Sequence, residues 1–362
     1  MKKIIFFSKK LNIGGMEKSL VILLNNLSLY YDVTLVLEKK EGVLLKELSK
    51  KVNVKEYKVS TLKLVFLRKI INYSKRLIWK LMYKNKYDFS CNYATYSIIG
   101  SKLAQIASTN SAFYIHSDYY TVYNGNEKDI KCFFAPHEIE KYKKIIFVSN
   151  ESKNGLQKIY PNYKDKFIVI NNLVDYENIE KKSQGESKKV KEMFDTKRVN
   201  IVFIGRLDNE SKNFDLLLDS FKMVLDVDKN YQLFIIGKGP YKNTIENFIA
   251  NNTLKDNIYL IDETINPYIY LKYSDAIILT SNYEGFPVVY LEALVLSKMI
   301  MTTVVTSDET INIKDYSILL KHDKKDISTK ILQFKKIDNK NDLDFSKINE
   351  NKIAIFKKII DN

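Results

Sequence analysis

Short apolar runs recur along this chain, separated by stretches with helical periodicity. Ile4-Ile-Phe-Phe7 reads as a buried strand, and Gly14–Leu27 as the helix that follows it. Val33–Leu37 is the next strand; a helix is predicted over Gly42–Lys50 and a short strand over Val52–Tyr57. More strands are predicted at Phe89–Tyr93, Ala112–Ile115, Ile145–Val148 and Phe167–Ile170. The stretch Glu177–Val199 is polar and reads as a linker or surface loop. The alternation then restarts with strand Asn200–Ile204, helix Phe214–Val227 and strands Gln232–Gly237, Ile258–Ile261 and Ala276–Leu279. Helical patterns at Lys325–Phe334 and Ser346–Ile360 close the chain. Strands that alternate with helices imply parallel, doubly wound sheets, whose ligands bind beyond the carboxyl ends of the strands. The predicted organisation is an α/β domain over 1–172, a linker over 173–199, a second α/β domain over 200–345, and a final helix over 346–362.

Length agrees with two domains, since 362 residues allow roughly 150–200 for each. Two cysteines, Cys91 and Cys132, make no disulfide framework, which points to a reducing cytosol. The start, Met1-Lys-Lys-Ile-Ile-Phe-Phe-Ser8, is too short in its apolar run for a signal sequence. No stretch approaches the ~18 apolar residues that cross a bilayer. The net charge of +15 admits nucleic acid, anionic membranes or phosphorylated substrates as partners. Richness in Lys, Asn, Ile and Tyr together also fits A/T-rich codons, so the position of the charge matters more than its sum.

Five places could carry chemistry. In Ser281–Leu294, Glu284 and Glu292 stand eight positions apart around Gly285-Phe286-Pro287, directly after the strand Ala276–Leu279. A strand, a tight loop and a helix in that order aim one acid and backbone N–H groups at a ligand; phosphates favour such helix starts. Gly205-Arg206, at another strand end, is followed by Lys212: a forked and a compact cation suited to a diphosphate. Asn12-Ile-Gly-Gly15-Met-Glu17 lets the backbone approach a ligand closely but lacks the dinucleotide fingerprint. His116 and Asp118 follow the strand Ala112–Ile115, at the edge where ligands bind. The segment Leu62–Phe89 interleaves Lys63, Arg68, Lys69, Lys75, Arg76, Lys80, Lys84 and Lys86 with aliphatics and the only tryptophan, Trp79. That pattern suits an anionic membrane surface, and also a helix packed on a sheet with a solvated basic face. The histidines are scattered, no cysteine pair has metal-ligand spacing, and no P-loop or nucleophile elbow occurs.

Together these elements resemble the family-4 retaining glycosyltransferases of the GT-B fold. The resemblance runs over Gly14-Gly15-Met-Glu17, Tyr114–Asp118, Ile146–Ser149, Val169–Val174, Gly205-Arg206 with Lys212, Ile236-Gly237-Lys-Gly-Pro240, and Glu284-Gly285-Phe286-Pro287 with Glu292. It implies two Rossmann-like domains facing a central cleft, with the last helix crossing back to the N-terminal one. It implies that Arg206 and Lys212 hold the donor diphosphate, that Glu292 binds the ribose, and that Glu284 with the N–H groups of Gly285 and Phe286 holds the sugar. Gly15 would approach the phosphate, His116 would contact the sugar near the reacting carbon, and Asp118 would lie toward the acceptor. Gly205, Gly237, Pro287 and Val288 complete the implied donor-side set.

The implied reaction moves a sugar from a nucleoside-diphosphate donor, taken as UDP-linked, to a hydroxyl of a glycan or lipid-linked oligosaccharide, with retention at the anomeric carbon. Bacterial surface or capsular polysaccharide synthesis, at the cytoplasmic face of the membrane, is the implied setting. No cofactor, no metal and no nucleic-acid partner are expected. The sequence departs from the family in two ways. The lysine follows the arginine by six residues rather than five, and a proline at 287 removes one backbone donor. An inverting enzyme of the same fold and, from charge alone, a nucleic-acid-binding protein are the competing readings, although no RRM, KH or helix-turn-helix pattern appears.

Overall fold

A computed structural model describes residues 1–185, 187–336 and 341–362. Glu186, in the polar stretch, lies outside the described residues. The chain divides into two compact units, one made of Met1–Leu173 with Ser346–Asn362, the other of Val174–Phe345.

The first unit is built on a seven-stranded sheet in the order β3-β2-β1-β4-β5-β6-β7. The strands are β1 Lys3–Ser8, β2 Asp32–Leu37, β3 Asn53–Glu56, β4 Phe89–Asn92, β5 Ser111–Ile115, β6 Lys144–Phe147 and β7 Phe167–Val169. Every pairing is parallel. A parallel sheet is covered on both faces, which is why β1, β4 and β5 are buried almost end to end rather than alternating. Helices α1 Gly15–Leu27, α2 Val65–Tyr83 and α3 Ile98–Ala107 belong to this unit. The C-terminal helix, Phe345–Asp361, also packs here. Its Phe356 ring stacks on Tyr114 at 6.2 Å, Lys352 Nζ donates to Asn172 O at 3.0 Å, and Asn110 Nδ2 donates to Ile359 O at 3.0 Å.

The second unit holds a six-stranded sheet in the order β10-β9-β8-β11-β12-β13, again wholly parallel. The strands are β8 Val199–Ile204, β9 Tyr231–Ile236, β10 Ile258–Ile261, β11 Ala276–Leu279, β12 Met299–Thr302 and β13 Ser317–Leu319. In both sheets the strand order reverses once, between β1 and β4 and between β8 and β11. Loops leaving the carboxyl ends of such a strand pair diverge to opposite faces and leave a crevice there.

Two expectations need correction. The helix predicted over Gly42–Lys50 is only a 3-10 turn, Val43–Glu47. Gly42 has φ 124°, and a Cβ there would lie 2.0 Å from Leu11 O; the loop after β2 is pinned against the loop after β1 instead of winding into a helix. The linker predicted over 173–199 contains two helices, Tyr176–Ser183 and Lys188–Met193. Their few apolar residues, Ile179 and Val190, are buried with the following Phe194, so three well-placed positions suffice to dock a polar segment on the second unit.

Candidate functional site

The crevice between β8 and β11 gathers most of the second unit's predicted site. After β8 the backbone runs through Gly205 and Arg206 to Asp208, which caps the single turn Asn209–Lys212 by accepting from Ser211 N–H at 2.9 Å. That turn absorbs the extra residue between arginine and lysine. Asn213 follows in the left-handed region at φ 52°, where asparagine is tolerated, and its side chain caps the helix Phe214–Val227. Lys212 is thereby presented at the joint between two helices.

The loop after β11 is tied to this joint. Thr280 Oγ1 donates to Lys212 O at 3.0 Å, Asn282 N–H to Ser211 O at 2.8 Å, and Asn213 Nδ2 to Asn282 Oδ1 at 3.0 Å. Lys212 Nζ forms an ion pair with Glu284 Oε1, and Ser281 Oγ donates to the same oxygen at 2.7 Å. The lysine and glutamate side chains are only 16% and 12% exposed. A pair so shielded is held by its surroundings rather than by salt-screened attraction, which fixes both charges in position. Lys212 also passes over Gly205, its Cε 4.0 Å from where a Cβ would stand.

Arg206 behaves differently. Its Nε donates to Asp208 Oδ2 at 2.7 Å, but the side chain is 70% exposed, leaving the outer guanidinium nitrogens turned to solvent. Burial raises the Asp208 pKa, yet the Ser211 N–H and hydroxyl and the Arg206 guanidinium outweigh it and hold the carboxyl below its ordinary value.

Glu292 lies in the helix Val288–Val295 and is 3% exposed. Tyr268 Oη donates to its Oε1 at 3.2 Å. The structure therefore separates the two acids: Glu284 joins the cations, while Glu292 is held inside the unit by another helix. Gly285, Phe286 and Pro287 are buried, and Phe286 packs against Tyr290. Pro287 is the N-cap of the helix, and Tyr290 N–H donates back to Pro287 O at 3.0 Å. The proline brings no N–H of its own to the helix start, where the N–H groups of Val288 and Val289 remain free of helical bonding.

Gly237, read as donor-binding, has a backbone role. A Cβ there would lie 1.9 Å from Gly205 O, and one on Gly239 would lie 2.1 Å from Leu207 O. Both glycines let the loops after β8 and β9 lie backbone on backbone. Beyond β9 and β10 a cavity of about 600 Å³ opens, lined by Lys238, Pro240, Lys242, Asn243, Asp262 and Glu263.

In the first unit, Gly15 is the exposed first residue of α1, beside the β1–β4 crevice. Burial raises the Glu17 carboxyl pKa, against its own backbone N–H, Lys10 and the Tyr96 hydroxyl. His116 follows β5 and is stacked on Tyr114 at 4.5 Å and against Tyr93 at 4.4 Å. Burial pushes its pKa down to about 3, against a hydrogen bond with the Tyr93 backbone, so the ring is neutral. Its Nε2 is shielded and has no partner among the described residues. Asp118 caps the turn Tyr119–Val122 and accepts from Tyr120 N–H, Thr121 N–H and Thr121 Oγ1. Those bonds involve both carboxylate oxygens and give Asp118 a structural part in capping the turn.

Ser281, Asp208 and Tyr268 are the site residues that pattern reasoning passed over. Ser281 and Asp208 lay inside the motifs already singled out, and a short polar residue two or three positions from a charge is the signal that could have found them. Tyr268 had none, because its contact with Glu292 spans 24 residues.

This architecture, two parallel α/β units each with its switch-point crevice, is the GT-B fold. HepE from Anabaena, solved with UDP and glucose, superposes with a TM-score of 0.75 at 14% identity, over 99% of this chain and 100% of that one. A TarM variant from Staphylococcus aureus, solved with UDP, superposes at 0.73 and 14% identity, over the whole of both chains. Residues 184–352 match the family described as Glycosyl transferases group 1, a match that contains every candidate side chain of the second unit. Among relatives, an uncharacterized glycosyltransferase of Methanocaldococcus jannaschii is 31% identical over 45% of this chain and 40% of its own length. The N-acetylgalactosamine-N,N'-diacetylbacillosaminyl-diphospho-undecaprenol 4-alpha-N-acetylgalactosaminyltransferase of Campylobacter jejuni is 28% identical over 45% and 42%. The capsular polysaccharide biosynthesis glycosyltransferase CapM of S. aureus is 29% identical over 36% and 35%. The chain spans less than half the length of these three relatives.

Proposed function

We propose that this protein is a retaining glycosyltransferase that moves a sugar from a UDP-linked donor to a hydroxyl of a glycan or lipid-linked acceptor, in bacterial surface polysaccharide assembly. The observation that carries the reading is the Lys212–Glu284 pair at the β8–β11 crevice, with the exposed fork of Arg206 on the same loop. A diphosphate leaving group needs cations already in place when its charge develops, and carboxylates suit sugar hydroxyls. The pair offers both from one fixed point. The Campylobacter and S. aureus relatives, named for polysaccharide and lipid-linked chemistry, support the acceptor class. HepE and TarM, solved with UDP, support the base.

In the proposed reaction the bond from the anomeric carbon to the diphosphate oxygen breaks, and the electron pair leaves with the diphosphate. Arg206 and Lys212 take up the developing negative charge. The acceptor oxygen bonds to the anomeric carbon on the face the diphosphate leaves, and its proton passes to a phosphate oxygen. Glu284 holds sugar hydroxyls and Glu292, with Tyr268 behind it, holds the ribose. His116 is neutral and suits a hydrogen bond to a hydroxyl rather than a charge contact. The protein's arginine and lysine supply the positive charge, and a metal-independent reaction is part of the proposal.

The setting is the inner membrane surface. No helix among the described residues is long and apolar enough to cross a membrane. The exposed apolar and basic side chains of α2 support attachment from one side.

The test is a thermal-shift screen of nucleoside-diphosphate sugars, followed by transfer with the best donor and determination of the product's anomeric configuration. Stabilisation by UDP-sugars and an unchanged anomer are expected. An inverted product would remove the retaining assignment, and no response to any sugar nucleotide would remove the reading altogether.

A further inference from the structure

Helix α2 is amphipathic, but its apolar side is the exposed one. Phe66, Ile70, Leu77 and Leu81 recur on one face, with Phe66 73% and Leu81 77% exposed. Of the whole helix only Trp79 is buried, packed on Phe7, Tyr57 and Tyr83. Between α2 and α3 lies a cavity of about 460 Å³. Arg68, Lys69 and Arg76 line it from α2, and Ile99, Lys102 and Leu103 from α3. Lys102 is paired with Glu138. Arg68, Lys69 and Arg76 have no carboxylate partner among the described residues.

Three cations without carboxylate partners, of which Arg76 lies over the Tyr73 ring at 5.7 Å, surround an apolar-floored hollow and select an anionic group attached to an apolar body. Guanidinium forks match phosphate oxygens two at a time. The outward stripe of the same helix is the kind of apolar face that lies among acyl chains at a bilayer interface. We infer that the α2–α3 cavity receives the phosphate headgroup of an anionic membrane phospholipid, while Phe66, Ile70, Leu77 and Leu81 lie among its acyl chains. A second copy of the chain fits this surface poorly, because it would set two rows of cations without carboxylate partners against each other. The inference rests on the membrane-surface part of the proposed function and deepens it by naming the lipid chemistry and the residues that read it.

The full chain is tested by flotation with vesicles of phosphatidylcholine alone and of phosphatidylcholine containing phosphatidylglycerol. The variant Arg68→Gln/Arg76→Gln is compared with Lys84→Gln/Lys86→Gln, which removes equal charge from the end of the same segment. The cavity variant should lose partition to phosphatidylglycerol vesicles by at least ~10-fold, several times more than the control. Equal loss in both variants would overturn the cavity and leave only diffuse charge. Complete displacement by inorganic phosphate at modest concentration would also overturn it, in favour of a soluble ligand. Dimerisation abolished by Leu77→Glu/Leu81→Glu, with vesicle binding intact, would make the stripe a protein interface. Melting temperatures with and without UDP are recorded for every sample. Retained UDP stabilisation shows that a lost lipid response belongs to α2. A wild type that binds vesicles but ignores UDP strikes the transferase reading and leaves the lipid site standing.

Discussion

Two regions of this molecule hold clustered cations, and they hold them in opposite ways. At the β8–β11 crevice each cation has a carboxylate: Lys212 has Glu284, and Arg206 has Asp208. The carboxylates are in turn fixed by Ser281 and Ser211. On α2 the cations Arg68, Lys69 and Arg76 stand without such partners beside exposed aliphatics. Paired charge defines a position; unpaired charge beside apolar surface defines a preference for a kind of environment. The first suits a reaction that tolerates little displacement, and the second suits capture of an anionic group at an apolar surface.

The comparison is broken most sharply at the crevice. Lys212→Ala, Glu284→Gln and Arg206→Ala should each lower transfer at least ~100-fold, as expected for losing a preorganised charge contact. The double variant Lys212→Ala/Glu284→Gln should fall little below the worse single one, because the two act as a unit. Steady-state kinetics that give additive losses would separate them. Glu292→Ala should also lose at least ~100-fold, with a raised KM for donor as the sign of a ribose role.

Backbone contact gives a second contrast. Gly237→Ala places a methyl against Gly205 O and should destabilise by about 1–3 kcal/mol, the range for overpacking. Exposed positions on α2 should tolerate far more. Leu77→Glu/Leu81→Glu should change stability by no more than about 0.5 kcal/mol, as surface changes do, yet weaken vesicle binding ~10-fold. Denaturant melts and flotation check both halves.

A separate contrast is the pH dependence set by two buried histidines. Burial pushes His116 down to about 3 and, with Lys102 adding repulsion, His137 to about 4. Both are neutral in the folded chain and take up a proton near pH 6.5 once unfolded, so the unfolded state binds more protons. Stability is full above about pH 6.5 and falls as pH drops from there toward 4 and 3. Between its folded and unfolded values each histidine contributes a slope approaching ~1.4 kcal/mol per pH unit, over a shorter pH interval for His137. Melting temperatures that rise on acidification to pH ~5 would contradict this sign. His137, held by Ser101 Oγ at 2.7 Å, lies outside the candidate site and makes the useful control.

Much of the fold was readable from local pattern. Ile4–Phe7, Ile201–Ile204 and Ala276–Leu279 are continuous apolar runs, Val33–Leu37 is broken only by Thr34, and each lies in a strand. β12 and β13 were not readable in this way. Met299–Thr302 follows a helix almost directly, and Ser317–Leu319 is three half-buried residues among polar ones; pairing with β11 and with each other makes them strands. At the site, Arg206, Lys212 and Glu284 were legible as charges at strand ends. Their pairing was not. Lys212 and Glu284 are 72 residues apart and meet only because β8 and β11 are neighbours, a fact of sheet order that no local window contains. Asp118 was legible as an acid just past β5, while its capping bonds to Tyr120 and Thr121 were not.

The glycines at 237 and 239 set a boundary on how this protein can be changed. Two loops that touch through their main chains leave no side chain there to exchange, so the shelf beneath Arg206 cannot be retuned by substitution. New ligand preferences would have to be written elsewhere: in the side chains around the cavity past β9 and β10, or in the turn 209–212. For directed evolution, libraries placed on those two segments should yield folded variants, while libraries placed on the glycines should yield mostly insoluble ones.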